Sequence, residues 1–565
     1  MKPPSERSGE GFPFLTSCGG QDEERQEGER MKDGIALAGV ALIALGAAIS
    51  RPAGAQQATA PASAEGPDCG GRLDSLGLPG HDLRITKARR VTDAPTGTVR
   101  PNAFSPPIGA AIPGYCKVEG VIDPRKGVDG VDYGLTFELA LPDDWSGRFL
   151  FQGGGGLNGI VNPALGSAAA GEVPAIARGF AVISTDSGHA SDAVFDEAFM
   201  KDQRATLDFA LHSVPTVSAA ARAIIAAYYG KPAHHSYIVG CSTGGREGML
   251  AAGRYPELFD GVVAGAPAMR PMFARLGVAH AEVAFNQAAP RDADGLPVVS
   301  QIFSASDRTL IANGLLDRCD ALDGIGDGVI HNMKACHFDP TRLQCGSDKA
   351  EGCLSAAQAR AMKDAFEGPR DRSGELVYPA FPYDTGITET GPFIPGFLPN
   401  GQPGPFGPPN RALSFDVDKA AWAVRRDADQ VLTDTDLWTN LSTFLGRGSK
   451  IIFYHGVSDP WFSAWDTLDY WERAAKDNAA AWPTSSRLYM VPGMGHCGGG
   501  SNAFDSFDLL GAVVDWVEKR EAPEAVMSRR RIPEPAERPL CPWPSFPRYT
   551  GGDVNEPGSF RCARE

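Results

Sequence analysis

The chain has 565 residues, 42% of them hydrophobic and 22% charged, proportions of a soluble globular protein long enough for a large domain with insertions. Its 69 acidic residues outnumber 53 basic ones, a formal charge of −16, and a surface of that sign repels phosphate backbones and anionic lipids, which argues against a nucleic-acid partner. The 67 Gly and 45 Pro point to many turns and ordered loops rather than to a helical bundle.

Residues 1–30 are polar and charged, fit no targeting signal, and read as an extension ahead of a translation start at Met31. An apolar run from Gly34 to Ile49 follows, with Lys32 before it and Ala53-Gly54-Ala55, an A-x-A cleavage pattern, after it. That is the layout of a secretory signal peptide over 31–55, and the run is short for a membrane span. A retained N-terminal anchor is the competing reading. Cleavage would leave a secreted or periplasmic chain with no stable membrane association. Cysteine usage agrees: of eleven, all but Cys18 lie beyond this region, and an even set in an exported chain reads as disulfides. No C-x-x-C pair appears, so a zinc ribbon or thioredoxin-like site is not supported.

From about Val131, short apolar runs alternate with Gly-rich turns and helical stretches. Arg148–Phe151 leads into four glycines, Gly153 to Gly156. Phe180–Ile183 ends in Thr185-Asp-Ser-Gly-His189, and Tyr237–Val239 in Gly240-Cys-Ser-Thr-Gly-Gly245. Strands recurring with intervening helices, such as Val214 to Tyr229, predict a mostly parallel sheet flanked by helices. The rhythm breaks after Pro267. Residues 268–446 hold paired cysteines, a dense Asp-Gly segment and a Pro/Gly-rich run, which suits an inserted lid domain between catalytic parts at 56–267 and 447–565. Strands resume at Lys450–Tyr454 and Arg487–Val491, and an amphipathic helix is expected at about Phe504 to Lys519.

Gly240-Cys-Ser242-Thr-Gly244 fits G-x-S-x-G, in which flanking glycines allow a sharp strand-to-helix turn that exposes the Ser hydroxyl. The motif alone is weak, because an ordinary Gly-rich turn can match it. An apolar strand just before and a helix-compatible stretch just after strengthen it. A serine needs a base to remove its proton. Of ten His, His496 sits in the loop after the last predicted strand, and Asp459 follows a strand between Ser and His in chain order. Each alone could be a satisfied loop residue. Their order, each at a strand's C-terminal end, is the informative feature. Cys241 precedes Ser242 and Cys497 follows His496. A disulfide between these two would hold nucleophile and base together, though either cysteine could pair elsewhere.

The Cys-Ser, Asp and His-Cys arrangement resembles the tannase and feruloyl esterase family. The likeness runs from about Cys69 to Cys562 and includes Thr185–His189, Asp260–Pro267, Tyr454–Asp459 and Val491–Cys497. It implies an α/β-hydrolase fold with a large lid, and hydrolysis of aromatic-acid esters through an acyl-enzyme on Ser242, with Asp459 and His496. It further implies the bridges Cys69–Cys116, Cys241–Cys497, Cys319–Cys336, Cys345–Cys353 and Cys541–Cys562. The oxyanion hole would be the N–H groups of Gly154 and Thr243.

Asp320-Ala-Leu-Asp-Gly-Ile-Gly-Asp327 sets three carboxylates within eight residues, which repel one another unless a hard cation neutralises them. It lacks EF-hand spacing, and a solvated acidic turn is the alternative. The resemblance implies a structural calcium ion in the lid, held by Asp320, Asp323 and Asp327 with the backbone oxygens of Ile325 and Val329; no organic cofactor is expected. One branch of the family hydrolyses mono(2-hydroxyethyl) terephthalate. Phe462 matches a pocket aromatic of that branch, and Trp461 is a further wall candidate. The lid departs from it: the stretch between Tyr383 and Phe415 looks shorter, and no residue aligns with the arginine that binds the terephthalate carboxylate. A feruloyl-type substrate is therefore expected, with tannase activity next. A catalytically silent calcium- or carbohydrate-binding wall protein and a serine peptidase are the readings from other classes.

Overall fold

The computed structural model describes residues 69–564 apart from 72, 74, 102–105, 392–395, 403, 405 and 408. The 1–30 extension, the signal peptide and Cys18 lie outside the described residues.

Nine strands form the central sheet: β1 (Leu83–Val91), β2 (Tyr115–Lys126), β3 (Asp132–Pro142), β4 (Arg148–Gln152), β5 (Ala181–Thr185), β6 (His235–Cys241), β7 (Gly261–Gly265), β8 (Lys450–Gly456) and β9 (Ser486–Val491). Their spatial order is β1-β2-β3-β5-β4-β6-β7-β8-β9. The first three pair antiparallel, as does β3 with β5, while β5 to β9 are mutually parallel. The parallel strands are short, apolar and almost wholly buried because helices cover both faces. Alternate side chains serve the two faces. Phe149, Phe151 and Phe453 pack with helices Ser213–Tyr229, Thr243–Arg254 and Ala464–Asp477. Leu150, Tyr237, Val239 and Ile452 pack with Leu509–Glu518. That last helix starts later than the sequence pattern predicts. Ser506 and Phe507 pair instead with Arg529 and Ser528 as a short strand, and the Asp508 carboxylate caps the helix by accepting the Gly511 N–H at 2.7 Å.

Residues 266–449 leave the sheet between β7 and β8. Helices Pro271–Ala288, Ala305–Cys319 and Ala356–Glu367 build a separate apolar core there around Phe285, Phe303, Phe366 and Phe397. Bridges Cys319–Cys336 and Cys345–Cys353 close its loops. Leu441, Phe444 and Leu445 already belong to the core beneath the sheet. The insertion's own core reaches Phe462, so it ends against the loop that follows β8.

Candidate active site

Ser242 stands between the end of β6 and helix Thr243–Arg254 with φ 62° and ψ −121°. A left-handed non-glycine backbone of this kind costs on the order of 1–3 kcal/mol and persists only where the surroundings enforce it. Here the enforcement is close packing. A Cβ on Gly244 would lie 2.7 Å from the Gly154 carbonyl oxygen, and one on Gly153 would lie 2.7 Å from the Gly244 Cα. Only glycines let the loop after β4 press against the elbow.

Asp459 follows β8 and His496 follows β9, so the parallel strand order brings both loops to the edge occupied by the elbow. His496 Nδ1 lies 2.6 Å from Asp459 Oδ2. Asp459 is 2% exposed, and its other oxygen accepts the N–H groups of Trp461 and Phe462 at 2.9 and 3.1 Å. Burial alone would raise this carboxyl; the neighbouring His496 and His455 overcome it and hold it well below the usual carboxylate range. An ionised Asp459 takes the proton on His496 Nδ1 and leaves Nε2 as the basic nitrogen. Cys241 and Cys497 are bridged with a Cα–Cα distance of 5.9 Å across 256 positions, which ties the segment that carries Ser242 to the segment that carries His496.

The ten cysteines from Cys69 onward form five bridges, in the pairs that the resemblance implies. The ring centroids of Trp461 and Phe462 lie 4.6 and 5.3 Å from that of the His496 imidazole, so both flank that ring. The oxyanion expectation needs one correction. Gly154 cannot be a free donor, because its N–H already donates to Glu247 Oε2 at 2.9 Å.

Two residues that brace these loops escaped the sequence reading. His455 Nε2 donates to the Phe462 carbonyl at 3.0 Å and lies 3.3 Å from Asp459 Oδ2, while its Nδ1 meets the Thr467 hydroxyl at 2.8 Å. Asp384, from the insertion, accepts the Ser458 hydroxyl at 2.7 Å and the Gly493 N–H at 2.6 Å, joining the loops of acid and base. The Tyr454-His455 strand end carried a visible signal, since an imidazole four residues before Asp459 can reach it. Asp384 carried none.

In the acidic loop, Asp320 accepts the N–H groups of Asp327 and Gly328 at 3.1 Å. Asp327 pairs with the buried Arg538 guanidinium. Asp323 is fully buried, with Oδ1 accepting the Ile325 N–H and Oδ2 without a partner among the described residues. Burial, with Asp327 and Asp320 nearby, pushes its carboxyl up to about 7. Among the described residues no three ligating side chains converge as a finished metal cluster. The residue types and the orphaned oxygen do fit a hard cation.

An elbow serine with a buried acid–imidazole pair on neighbouring strand ends defines a serine hydrolase of the α/β-hydrolase type. A profile described as "Tannase and feruloyl esterase" matches residues 116–399 and 411–563. The chain belongs to that family and is a carboxylic ester hydrolase. Mono(2-hydroxyethyl) terephthalate hydrolase of Piscinibacter sakaiensis is 37% identical over 519 residues, covering 80% of this chain and 85% of that one. A probable feruloyl esterase of Arthroderma benhamiae is 29% identical, covering 76% and 82%. Among solved structures, an esterase from Aspergillus oryzae matches with TM-score 0.70 at 25% identity, covering 88% of this chain and 99% of that one. The tannin acyl hydrolase of Aspergillus niger shares the fold, with TM-score 0.66, 23% identity and coverage of 87% and 93%.

Proposed function

We propose that this enzyme hydrolyses esters of aromatic carboxylic acids, feruloyl-type first and galloyl-type second, through an acyl-enzyme on Ser242. The observation that carries the reading is the Cys241–Cys497 bridge beside a His496–Asp459 contact of 2.6 Å. His496 Nε2 takes the Ser242 hydroxyl proton as Oγ attacks the ester carbonyl, and Asp459 stabilises the imidazolium that forms. Collapse of the tetrahedral intermediate expels the alcohol, which takes that proton. Water then attacks the acyl group with His496 again as base, releasing the acid. Trp461 and Phe462 offer aromatic faces beside the base, where an aryl acyl group can stack.

The 37% identity to a terephthalate monoester hydrolase favours that substrate as a second reading. Feruloyl, galloyl and terephthaloyl esters assayed side by side on the mature protein decide between them. The feruloyl ester is expected to give the highest kcat/KM, and a terephthaloyl preference would overturn the order. Failure of a fluorophosphonate to label Ser242 would favour the silent wall protein, and turnover of peptides in preference to esters would favour a peptidase.

Five bridges and the apolar run at 34–49 support secretion or a periplasmic location. A calcium ion held by Asp320, Asp323 and Asp327 with the Ile325 and Val329 carbonyls would neutralise the loop; the orphaned Asp323 oxygen supports this. Its role would be structural.

A further inference from the structure

The insertion and the loop after β8 enclose a pocket beside the catalytic base. Trp461, whose ring centroid lies 4.6 Å from that of His496, forms one wall, with Phe285, Phe397 and Phe406 around it. Phe406 in turn meets Phe462, the other ring next to His496, at 6.1 Å. Aromatic walls that begin at the base suit the aryl end of an acyl group. The carboxyl and amide side chains that line this pocket are Glu282, Asn400 and Gln402, and among the described residues no basic side chain joins them.

Glu282 comes from helix Pro271–Ala288 and is held through one oxygen. Its Oε2 accepts the Asn410 N–H at 3.3 Å and also the Asn410 side-chain amide. Asn410 is fixed in turn by Asn286 Nδ2, which donates to its carbonyl at 2.8 Å. Oε1 has no partner among the described residues and is left as an open acceptor. Burial pushes this carboxyl up to about 7 against the Asn410 contacts and against Arg275, which lies two turns earlier on the helix and outside the pocket. Asn400 is the complement. Its Oδ1 accepts the Gln402 N–H at 3.0 Å, which fixes the amide, and its Nδ2 is buried without a partner. A buried donor left unpaired is costly, and a ligand oxygen would relieve it.

We infer that Glu282 and Asn400 select the acyl group: a hydroxyl on the acyl ring donates to Glu282 Oε1, Asn400 Nδ2 donates to an oxygen on the same ring, and a carboxylate in their place meets an acid with no cation to balance it. The inference rests on the aromatic-ester reading and narrows it to hydroxylated aryl acids. Such a pocket discriminates by leaving its own polar groups unpaired when the hydroxyl is missing.

The test compares kcat/KM on methyl ferulate, on methyl 3-methoxycinnamate, which lacks only the hydroxyl, and on mono(2-hydroxyethyl) terephthalate. Each value is divided by that of the same enzyme on p-nitrophenyl acetate, and thermal midpoints are recorded. A hydroxyl bonded to a charged group is worth about 10–100-fold, so wild type should prefer the ferulate to the 3-methoxycinnamate by that factor. In Glu282→Gln the two Asn410 donors hold the amide oxygen where Oε2 was, which turns the amide nitrogen toward the pocket as a donor. The hydroxyl preference should then fall to within about threefold, and the terephthaloyl value should rise about tenfold or more. Asn400→Asp keeps the acceptor for Gln402 and loses the donor, and should lower the ferulate value about tenfold.

Equal wild-type values for the ferulate and the 3-methoxycinnamate, or a folded Glu282→Gln enzyme with wild-type preferences, would overturn the role of Glu282. If the Gln variant does not fold, Asn400→Asp carries the test: an unchanged ferulate value would overturn the selection, and the expected fall would support it. Brisk acetate hydrolysis beside negligible turnover of all three aromatic esters strikes the aromatic reading, and this inference falls with it. Ready but indiscriminate turnover of all three strikes this inference alone.

Discussion

Ser242, Asp459 and His496 were legible because each sits in a short motif at a strand end, and their chain order admits few other arrangements. Ser242→Ala should abolish turnover of methyl ferulate with an unchanged thermal midpoint. Asp459→Asn preserves shape but no longer compels His496 to carry its proton on Nδ1, and kcat should fall about 10⁴-fold in steady-state assays. His496 and His455 hold Asp459 well below the usual carboxylate range, so kcat measured from pH 7 down to pH 4 should show no loss that traces to protonation of this carboxyl. Glu247 was not legible. A charged residue one turn into a helix ordinarily reads as a solvated face, and only the fold shows this one buried against a loop 93 positions earlier. Four successive glycines gave no mark of which N–H is occupied.

At the scale of elements, apolar runs identified β4, β5, β6, β8 and β9, because parallel strands covered on both faces leave continuous hydrophobic stretches. The antiparallel edge was harder to see. In β2 buried Cys116, Val118, Gly120 and Ile122 alternate with half-exposed neighbours, a period of two without an apolar run. The late helix was extended too far because Phe504 and Phe507 fit a helical period, yet Phe507 belongs to a short strand.

Two devices at this scale invite measurement. Closing 256 positions with one bridge stabilises by roughly 5 kcal/mol in the chain-entropy description. Cys241→Ser with Cys497→Ser should therefore lower the denaturant midpoint and, by releasing the strained elbow, lose most activity. For the acidic loop, a ligand that binds only the folded state at 100 times its Kd adds about 2.7 kcal/mol. Calcium should raise the melting temperature of chelator-treated protein, and Asp323→Asn should remove that rise; an unchanged melting curve would count against the ion.

For the molecule as a whole, buried imidazoles supply a pH dependence. His331 is buried, and burial with the nearby Arg538 pushes it down to about 3; His189, stacked on Phe199, is pushed down to about 4 by burial. Unfolding exposes both to water, where they take up protons below about pH 6.5. The unfolded chain then binds more protons, so stability is full above that pH and declines as pH falls toward about 4. Melting temperature measured between pH 7.5 and 4.5 should fall less steeply for His331→Gln than for wild type. Buried acids such as Asp186, raised to about 7, act in the opposite sense, which is why the comparison is made between variants.

The insertion is not a separable cap. Its Asp384, 1% exposed, holds the loop of Asp459 and the loop of His496 through a single carboxylate oxygen. Recombining lids among relatives as interchangeable cassettes would thus sever an internal strut of the reaction centre. A graft that altered specificity while keeping rate would have to bring an equivalent carboxylate to the same two donors.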